Sequence, residues 1–348
     1  MDNKRSIFYR ILKTVLQTAI AVAILLLLIG KHRGQFEQCL EKFNYTTLFP
    51  ALICHLFHMV VGSWRWRKLA MLQGYQLTFF EAISLTMQGY FFSLIIPGGA
   101  IGGDVAKMGL LARRRQPGTR AEGIFTVFMD RIVGMIALFV LCLVLLGLNA
   151  GKLHTFAIFG MSETQTVWAA WLLGLLCVAG IFCGIAIFFH RQLQKIPGVK
   201  PLFDWVDRHL KNAASRVTAM ADLYANSPKE LITLTVASIV GVHIMTVLPM
   251  FFMLHGAGVE LDAAKILLVL TAATIGNIAG LIPLTPGGIG LRDLVVISLL
   301  TSGGIASGTA DAAQLMTTGI SVFSNLSGGL FLLFESSTLH HQSGNSDK

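Results

Sequence analysis

Two glycine–proline interruptions fall inside otherwise apolar sequence, about 190 residues apart. The first is LIIPGGAIGGDVAKMGLLARRR at 94–115, and the second is LIPLTPGGIGLRDLVVISLL at 281–300. Each places Pro-Gly-Gly, then Ile-Gly, then a charged residue where an apolar helix would otherwise run on. Backbone that leaves the helix inside a bilayer strands N–H and C=O groups, and it is tolerated only where protein buries it or a cavity wets it. A matched pair of such breaks in two halves of one chain points to a transporter's binding site near the midplane.

The bilayer context follows from composition. The 348 residues are 54% hydrophobic and 13% charged, with a mean hydropathy of +0.68. Soluble domains carry about 25% charged residues. The chain therefore reads as an all-α polytopic membrane protein, a single transmembrane domain over 1–348 without a large soluble appendage. Its net charge of +9 invites a nucleic-acid reading. The basic residues instead flank apolar segments: Lys4, Arg5, Arg10 and Lys13; Arg65, Arg67 and Lys68; Arg113, Arg114, Arg115 and Arg120; then the stretch 190–229. That is the positive-inside pattern. No basic module interleaved with aromatics is present, so nucleic acid is excluded as a partner.

Apolar segments near 14–30, 48–64, 121–149, 166–189, 230–255 and 312–334 approach or exceed the roughly 20 residues a crossing requires. The first, with no small-residue cleavage site after it, reads as a retained helix. Two longer stretches, 79–112 and 264–303, are each split by a Pro-Gly-Gly. Each reads as a helical hairpin that enters and returns on one side, or as two full crossings.

Most Lys and Arg fall in the N-terminal segment, 65–68, 107–120 and 190–229. The opposing loops set Lys31, Arg33, Lys42 and Lys152 against Glu37, Glu41, Glu163, Glu260 and Asp262. The N-terminus is thereby predicted to be cytoplasmic. Threaded through the segments, this orientation opens the first hairpin to the cytoplasm and the second outward. Half one, about 1–150, and half two, about 166–334, each read helix, helix, hairpin, helix. Three crossings per half invert the second relative to the first, an inverted-topology repeat. Between them, Val206, Leu210, Ala213, Val217, Met220 and Tyr224 mark an amphipathic helix over about 201–226, expected on the cytoplasmic membrane surface.

Charges inside a bilayer cost roughly 2.5–3.5 kcal/mol each on insertion scales, so each needs a reason. The candidate substrate-binding set is Pro97, Gly98, Gly99, Gly102, Gly103, Asp104 and Lys107 at the first break. It continues with Asp130 and Arg131 in the next crossing, and with Pro286, Gly287, Gly288, Gly290, Arg292 and Asp293 at the second break. A helix restarting after Pro-Gly-Gly offers free N–H groups and the positive end of its dipole. Glycine admits a ligand close to backbone, and helix N-termini suit phosphate or carboxylate. Lys107 and Arg292 add positive charge, while Asp104 and Asp293 can cap the restarted helices or pair with the cations. An anionic or zwitterionic head group is the natural ligand. The opposing reading is that these charges only pair with one another.

Asp130–Arg131 reads either as an ion pair, to Asp104 or Glu81, or as a substrate contact. Glu81, Gln88, His243, Asn277 and Asn325 are further polar candidates. His55 and His58, three apart on one helical face, could relay protons or bind metal, but a packing role is preferred. Arg65-Trp66-Arg67 reads as an interfacial anchor. Cys39, Cys54, Cys142, Cys177 and Cys183 have no metal spacing and read as apolar fillers. No Walker A, GxSxG, HExxH or CxxC sequence occurs. The expectation is a non-enzyme without metal or cofactor.

These residues resemble the lysylphosphatidylglycerol synthase transmembrane-domain family, also called flippase-like membrane proteins. The resemblance rests on Arg65-Trp66-Arg67, on Pro97 with Gly102-Gly103-Asp104, and on Leu110-Leu111 before an arginine cluster. Asp130-Arg131 with Gly134, and Pro286-Gly287-Gly288 with Gly290, complete it. Lys107 stands where the family tends to have arginine, and Asp293 near where it often has glutamate. The resemblance implies a multi-pass protein of the bacterial inner (plasma) membrane that moves lipid between leaflets or assists a lipid-modifying enzyme. Relatives that synthesise lysyl lipid use a separate soluble domain; this chain ends at Lys348 without one, so no synthesis is expected of it. Relatives linked to hopanoid or polyprenyl-phosphate sugar pathways leave the substrate open among glyco, aminoacyl and polyprenyl lipids.

The reading that follows is a flippase-like lipid transporter with a cavity between inverted halves. The alternatives are a scaffold or accessory subunit of a separately encoded lipid-modifying enzyme, and a membrane-embedded lipid transferase. Membrane lipids are the expected partners, and a homo-oligomer is compatible with the sequence.

Overall fold

Helix starts are written locally. Thr78 accepts a hydrogen bond from the Glu81 N–H at 3.2 Å, and the Glu81 carboxylate accepts the Thr78 N–H at 2.8 Å. This capping box satisfies two otherwise orphaned donors. Asp262 plays the same part in the second half, its carboxylate accepting the Lys265 N–H at 2.8 Å. That bond holds the exposed Asp262 carboxyl below the usual carboxylate range.

The computed structural model describes residues 30, 33–96, 99–114, 120–155, 158–188, 213–282 and 285–332; for 114, 153–155, 213–218 and 286 it describes the backbone alone. The helices are α1 (Arg33–Glu41), α2 (Leu48–Leu72), α3 (Phe79–Ile95), α4 (Ala100–Arg114), α5 (Arg120–Leu148), α6 (Glu163–Phe188), α7 (Ala213–Ala225), α8 (Pro228–Gly256), α9 (Ala263–Ala279), α10 (Leu291–Ser302) and α11 (Ser307–Ser327). Among the described residues there is no strand.

Among the described residues, five helices are long and apolar enough to span a bilayer: Tyr45–Leu72, Arg120–Leu148, Glu163–Phe188, Pro228–Gly256 and Ser307–Leu332. They match five of the six expected crossings; the first, 14–30, lies outside the described residues except for Gly30. The protein is a multi-pass, all-α membrane protein. The paired arms α3 and α4 have 17 and 15 residues, and α9 and α10 have 17 and 12. At about 1.5 Å per residue each falls short of a hydrocarbon core of roughly 30 Å. Short arms joined at a break fit hairpins that enter and return.

The packing of the two halves is reciprocal. Each hairpin folds on itself, α3 on α4 and α9 on α10, and the long helices α2 and α8 pack together. The entry arm α3 also touches α11, the helix after the second hairpin, while α9 touches α5, the helix after the first. Each hairpin thus leans on the helix that follows the other hairpin.

Lipid tails are as apolar as leucine, so close backbone approach and polar bonds hold such helices together. A Cβ on Gly103 would collide with the Gly89 carbonyl of α3, and one on Gly328 with the Met87 carbonyl. Small residues at these crossings set how near the helices come.

One sequence expectation is corrected. Arg65-Trp66-Arg67 is no interfacial anchor: Trp66 is fully buried, its indole N–H donating to Thr126 Oγ1 at 3.1 Å, and Arg65 is buried beside it. The described part of the 201–226 helix, α7, packs one face against the bundle while Leu223 stays exposed. Tyr224 and Ala221 are buried against Leu69, Phe125 and Met129, and the Tyr224 hydroxyl donates to the Leu69 carbonyl at 3.0 Å. Residues 201–212 lie outside the described residues.

Candidate functional site: a charged cavity between the two breaks

The two breaks meet. Gly99 (φ 58°) ends the first, and a Cβ built there would stand 3.1 Å from the Thr285 carbonyl and 3.3 Å from the Gly287 N–H nitrogen of the second. The second break is the tight turn Pro286–Gly288, with Gly287, Gly288 and Gly290 all at positive φ. Only glycine adopts such a run without strain. Asp293 then restarts the helix: it is fully buried and accepts the Gly290 N–H at 2.8 Å, Gln314 Nε2 at 2.6 Å and the Thr318 hydroxyl at 2.7 Å. Asp293 fills both roles expected of it, capping the restarted helix and standing 3.4 Å from Arg292 Nε.

Beside this junction lies a cavity of about 230 Å³ walled by both halves. His55, His58 and Arg65 come from α2, Tyr90 from α3, Gly103, Asp104 and Lys107 from α4, and Asp130 and Arg131 from α5. Asn277 of α9, Gly287 of the turn, Arg292 of α10, and Gln314, Ser321 and Asn325 of α11 complete the far wall.

Its charges are mostly paired. Arg131 clasps Asp104 through two nitrogens, one of them 2.8 Å from Oδ1. Arg65 Nε donates to Asp130 at 2.8 Å, with its NH1 on Ser238 at 3.0 Å. Arg292 donates to Thr318 at 2.9 Å and reaches Asp293 at 3.4 Å. Lys107 differs. Its side chain is 4% exposed and its ammonium sits 3.5 Å from the centroid of the Trp66 ring, with no carboxylate hydrogen bonded to it among the described residues. A cation over an indole face is attracted by the ring but not neutralised.

Of the candidate set, Gly103, Asp104, Lys107, Asp130, Arg131, Gly287 and Arg292 line the cavity. Gly99 and Gly288 shape the junction behind it, the latter against the Gly280 backbone; Gly102 packs on Ile96 and Gly290 feeds the Asp293 cap. Pro97 and Gly98 lie outside the described residues, as does the side chain of Pro286. Asp130 and Arg131 are ion pairs and cavity lining at once. Of the partners expected for them, Asp104 takes Arg131, Arg65 takes Asp130, and Glu81 serves as a cap. Gln88 turns away, its amide donating to Ser84 and the Phe331 carbonyl.

Sequence reading passed over Tyr90 and the α11 row Gln314, Thr317 and Ser321, and it gave Arg65 a different role. Spacing held a signal for that row: 314, 317, 321 and 325 are one face of a helix.

The sequence profile of one protein family, the lysylphosphatidylglycerol synthase TM region, matches residues 14–328. The chain belongs to that family. Both Pro-Gly-Gly breaks and every cavity residue named above fall inside the matched span. Membership in this family makes it a membrane protein related to lipid handling. A comparison with curated proteins finds no match.

Proposed function

We propose that the protein is a flippase-like transporter that carries an anionic lipid head group through this cavity while the acyl chains stay in the bilayer. The supporting observation is Lys107. Four cations line the wall, and three of them are answered by Asp104, Asp130 and Asp293. One positive charge is left for a ligand, and a buried charge without a partner is costly. An anionic head group supplies that partner, whereas the positive group of a zwitterion would find each carboxylate already engaged. The glycine turns at the junction would serve as hinges, and nothing in this reading transforms the lipid. The preponderance of Lys and Arg near the N-terminus and in 190–229 supports a cytoplasmic N-terminus in a bacterial plasma membrane.

The test is translocation of fluorescent phosphatidylglycerol in vesicles holding the purified chain, with phosphatidylcholine as the comparison. Lys107→Gln should slow the anionic lipid at least tenfold, about 1.4 kcal/mol, and Lys107→Arg should retain most of the rate. Equal rates for wild type and Lys107→Gln would remove the assignment. A wild type that moves no lipid would favour a scaffold role.

A further inference from the structure

The cavity holds a second set of groups that the anion reading does not use. His55 and His58 stand one turn apart on α2, ring centroids 4.4 Å apart and edge to face, and both line the cavity. His58 is 5% exposed, and its buried Nδ1 makes no hydrogen bond of normal geometry among the described residues. A neutral imidazole carries one proton and leaves its other ring nitrogen able to accept a second. A third imidazole, His243, lies in the π-helical stretch Ile239–Ile244 of α8, with Nε2 2.9 Å from the Gly134 carbonyl. That nitrogen must donate, so His243 is already committed.

The charged and titratable groups facing the pair come from every neighbouring wall. α2 itself brings Arg65; α3 brings Tyr90, whose ring centroid is 6.1 Å from that of His58. α4 brings Asp104 and Lys107, α5 brings Asp130 and Arg131, and α10 brings Arg292. The π stretch carries His243, which is turned to the Gly134 carbonyl and does not line the cavity, and α11 lines it with uncharged Gln314, Thr317, Ser321 and Asn325. Both lining carboxylates are held by arginines. A proton arriving on an imidazole of the empty cavity would therefore add to a surplus of positive charge. An anion seated beside Lys107 reverses that balance.

We infer that the His55–His58 pair is a proton-binding site linked to head-group occupancy, so that an anionic lipid enters together with a proton. The inference rests on the anion reading of the cavity. No bond to carbon is made or broken: one proton passes from water to an imidazole nitrogen as the head group binds, and returns to water as it leaves. Linkage is reciprocal, so if the anion favours the proton, the proton favours the anion by the same factor. A proton gradient would then bias the direction of lipid movement without any nucleotide site.

The experiment is calorimetric titration of the full chain, in a non-ionic detergent, with dihexanoyl-phosphatidylglycerol. It is run at pH 6, 7 and 8 in buffers of differing ionisation enthalpy. This phosphodiester does not titrate in that range, so protons taken up belong to the protein. Wild type should absorb close to one proton per lipid at pH 7, and its Kd should tighten from pH 8 to pH 6 by roughly 25- to 100-fold, since one linked proton changes Kd by at most about tenfold per pH unit. His55→Gln and His58→Gln, read singly and together, should reduce the proton count and flatten the ratio of Kd values within each variant. The single variants keep the test open if the double variant does not fold. An unchanged proton count in every variant, or lipid binding by wild type without proton uptake, would overturn the coupling while leaving the anion reading standing. Absence of lipid binding at every pH would overturn both.

Discussion

Gly99 of the first break lies against Thr285 of the second, close enough that a Cβ on Gly99 would come within 3.1 Å of the Thr285 carbonyl oxygen. Two interruptions remote in sequence therefore share one wall. Charged side chains fill the space alongside: Asp104 and Lys107 from one restarted helix, Arg292 from the other.

Gly99→Ala should weaken this junction. The residue holds φ 58° and its nearest neighbours are backbone atoms that cannot swing away. The left-handed conformation alone costs about 1–2 kcal/mol for a non-glycine residue. Gly109, in the middle of α4, has open space around it and makes the matched comparison. Gly109→Ala should be neutral or stabilising by up to about 1 kcal/mol. Thermal unfolding of both variants in detergent checks the contrast, and equal melting temperatures would refute it.

The Arg65–Asp130 pair is buried on both sides, at 9% and 13% side-chain exposure. Asp130→Ala leaves a guanidinium with Ser238 as its remaining hydrogen-bond partner, and breaking such a pair costs about 3–5 kcal/mol. Replacing both partners with apolar residues removes the stranded charge. Arg65→Met with Asp130→Leu should therefore fold better than Asp130→Ala alone, by fluorescence-detected size exclusion. A double variant as unstable as the single one would show that the pair is not the unit of stability.

How much of this was legible beforehand divides by range. The spans at 48–72, 120–148, 163–188, 228–256 and 307–332 follow from apolar length, and the breaks from Pro-Gly-Gly, because both are local. The roles of Asp104, Lys107 and Arg292 as cavity groups also follow, since a charge in apolar sequence demands a reason. Arg65 was misread because Arg-Trp-Arg at a helix end looks the same whether it faces head groups or a neighbouring carboxylate; its partner Asp130 is 65 positions away. His55 and His58 share a face by spacing, but whether that face meets lipid or a cavity depends on where α8 and α10 pack. The docking of α7 turns on Tyr224 reaching Leu69, a contact across 155 positions that helical periodicity does not contain.

Asp293 should be the least replaceable acid of the second half. It is fully buried and accepts from Gly290, Gln314 and Thr318, with Arg292 beside it. Asp293→Ala strands these donors at about 1–3 kcal/mol for each buried group left unpaired. Asp293→Asn keeps the shape and one acceptor oxygen, so an intermediate loss is expected. Hydrogen exchange reads the cap directly: amides at 290–294 should exchange faster in both variants, and most in the alanine. Protection unchanged in Asp293→Ala would mean that the restarted helix does not depend on its cap.

Tyr224 gives a graded test of how α7 is fastened. Its hydroxyl donates to the Leu69 carbonyl at the end of α2, while its ring lies 6.1 Å from that of Phe125 on α5. Tyr224→Phe removes the hydrogen bond and keeps the ring, a loss of about 1 kcal/mol. Tyr224→Ala also empties a packed site, for about 3–5 kcal/mol by analogy with large aromatic truncations. Limited proteolysis between 213 and 227 should be slow in wild type, slightly faster in the phenylalanine variant and fast in the alanine variant. Cleavage at one rate in all three would show that α7 does not rely on this anchor.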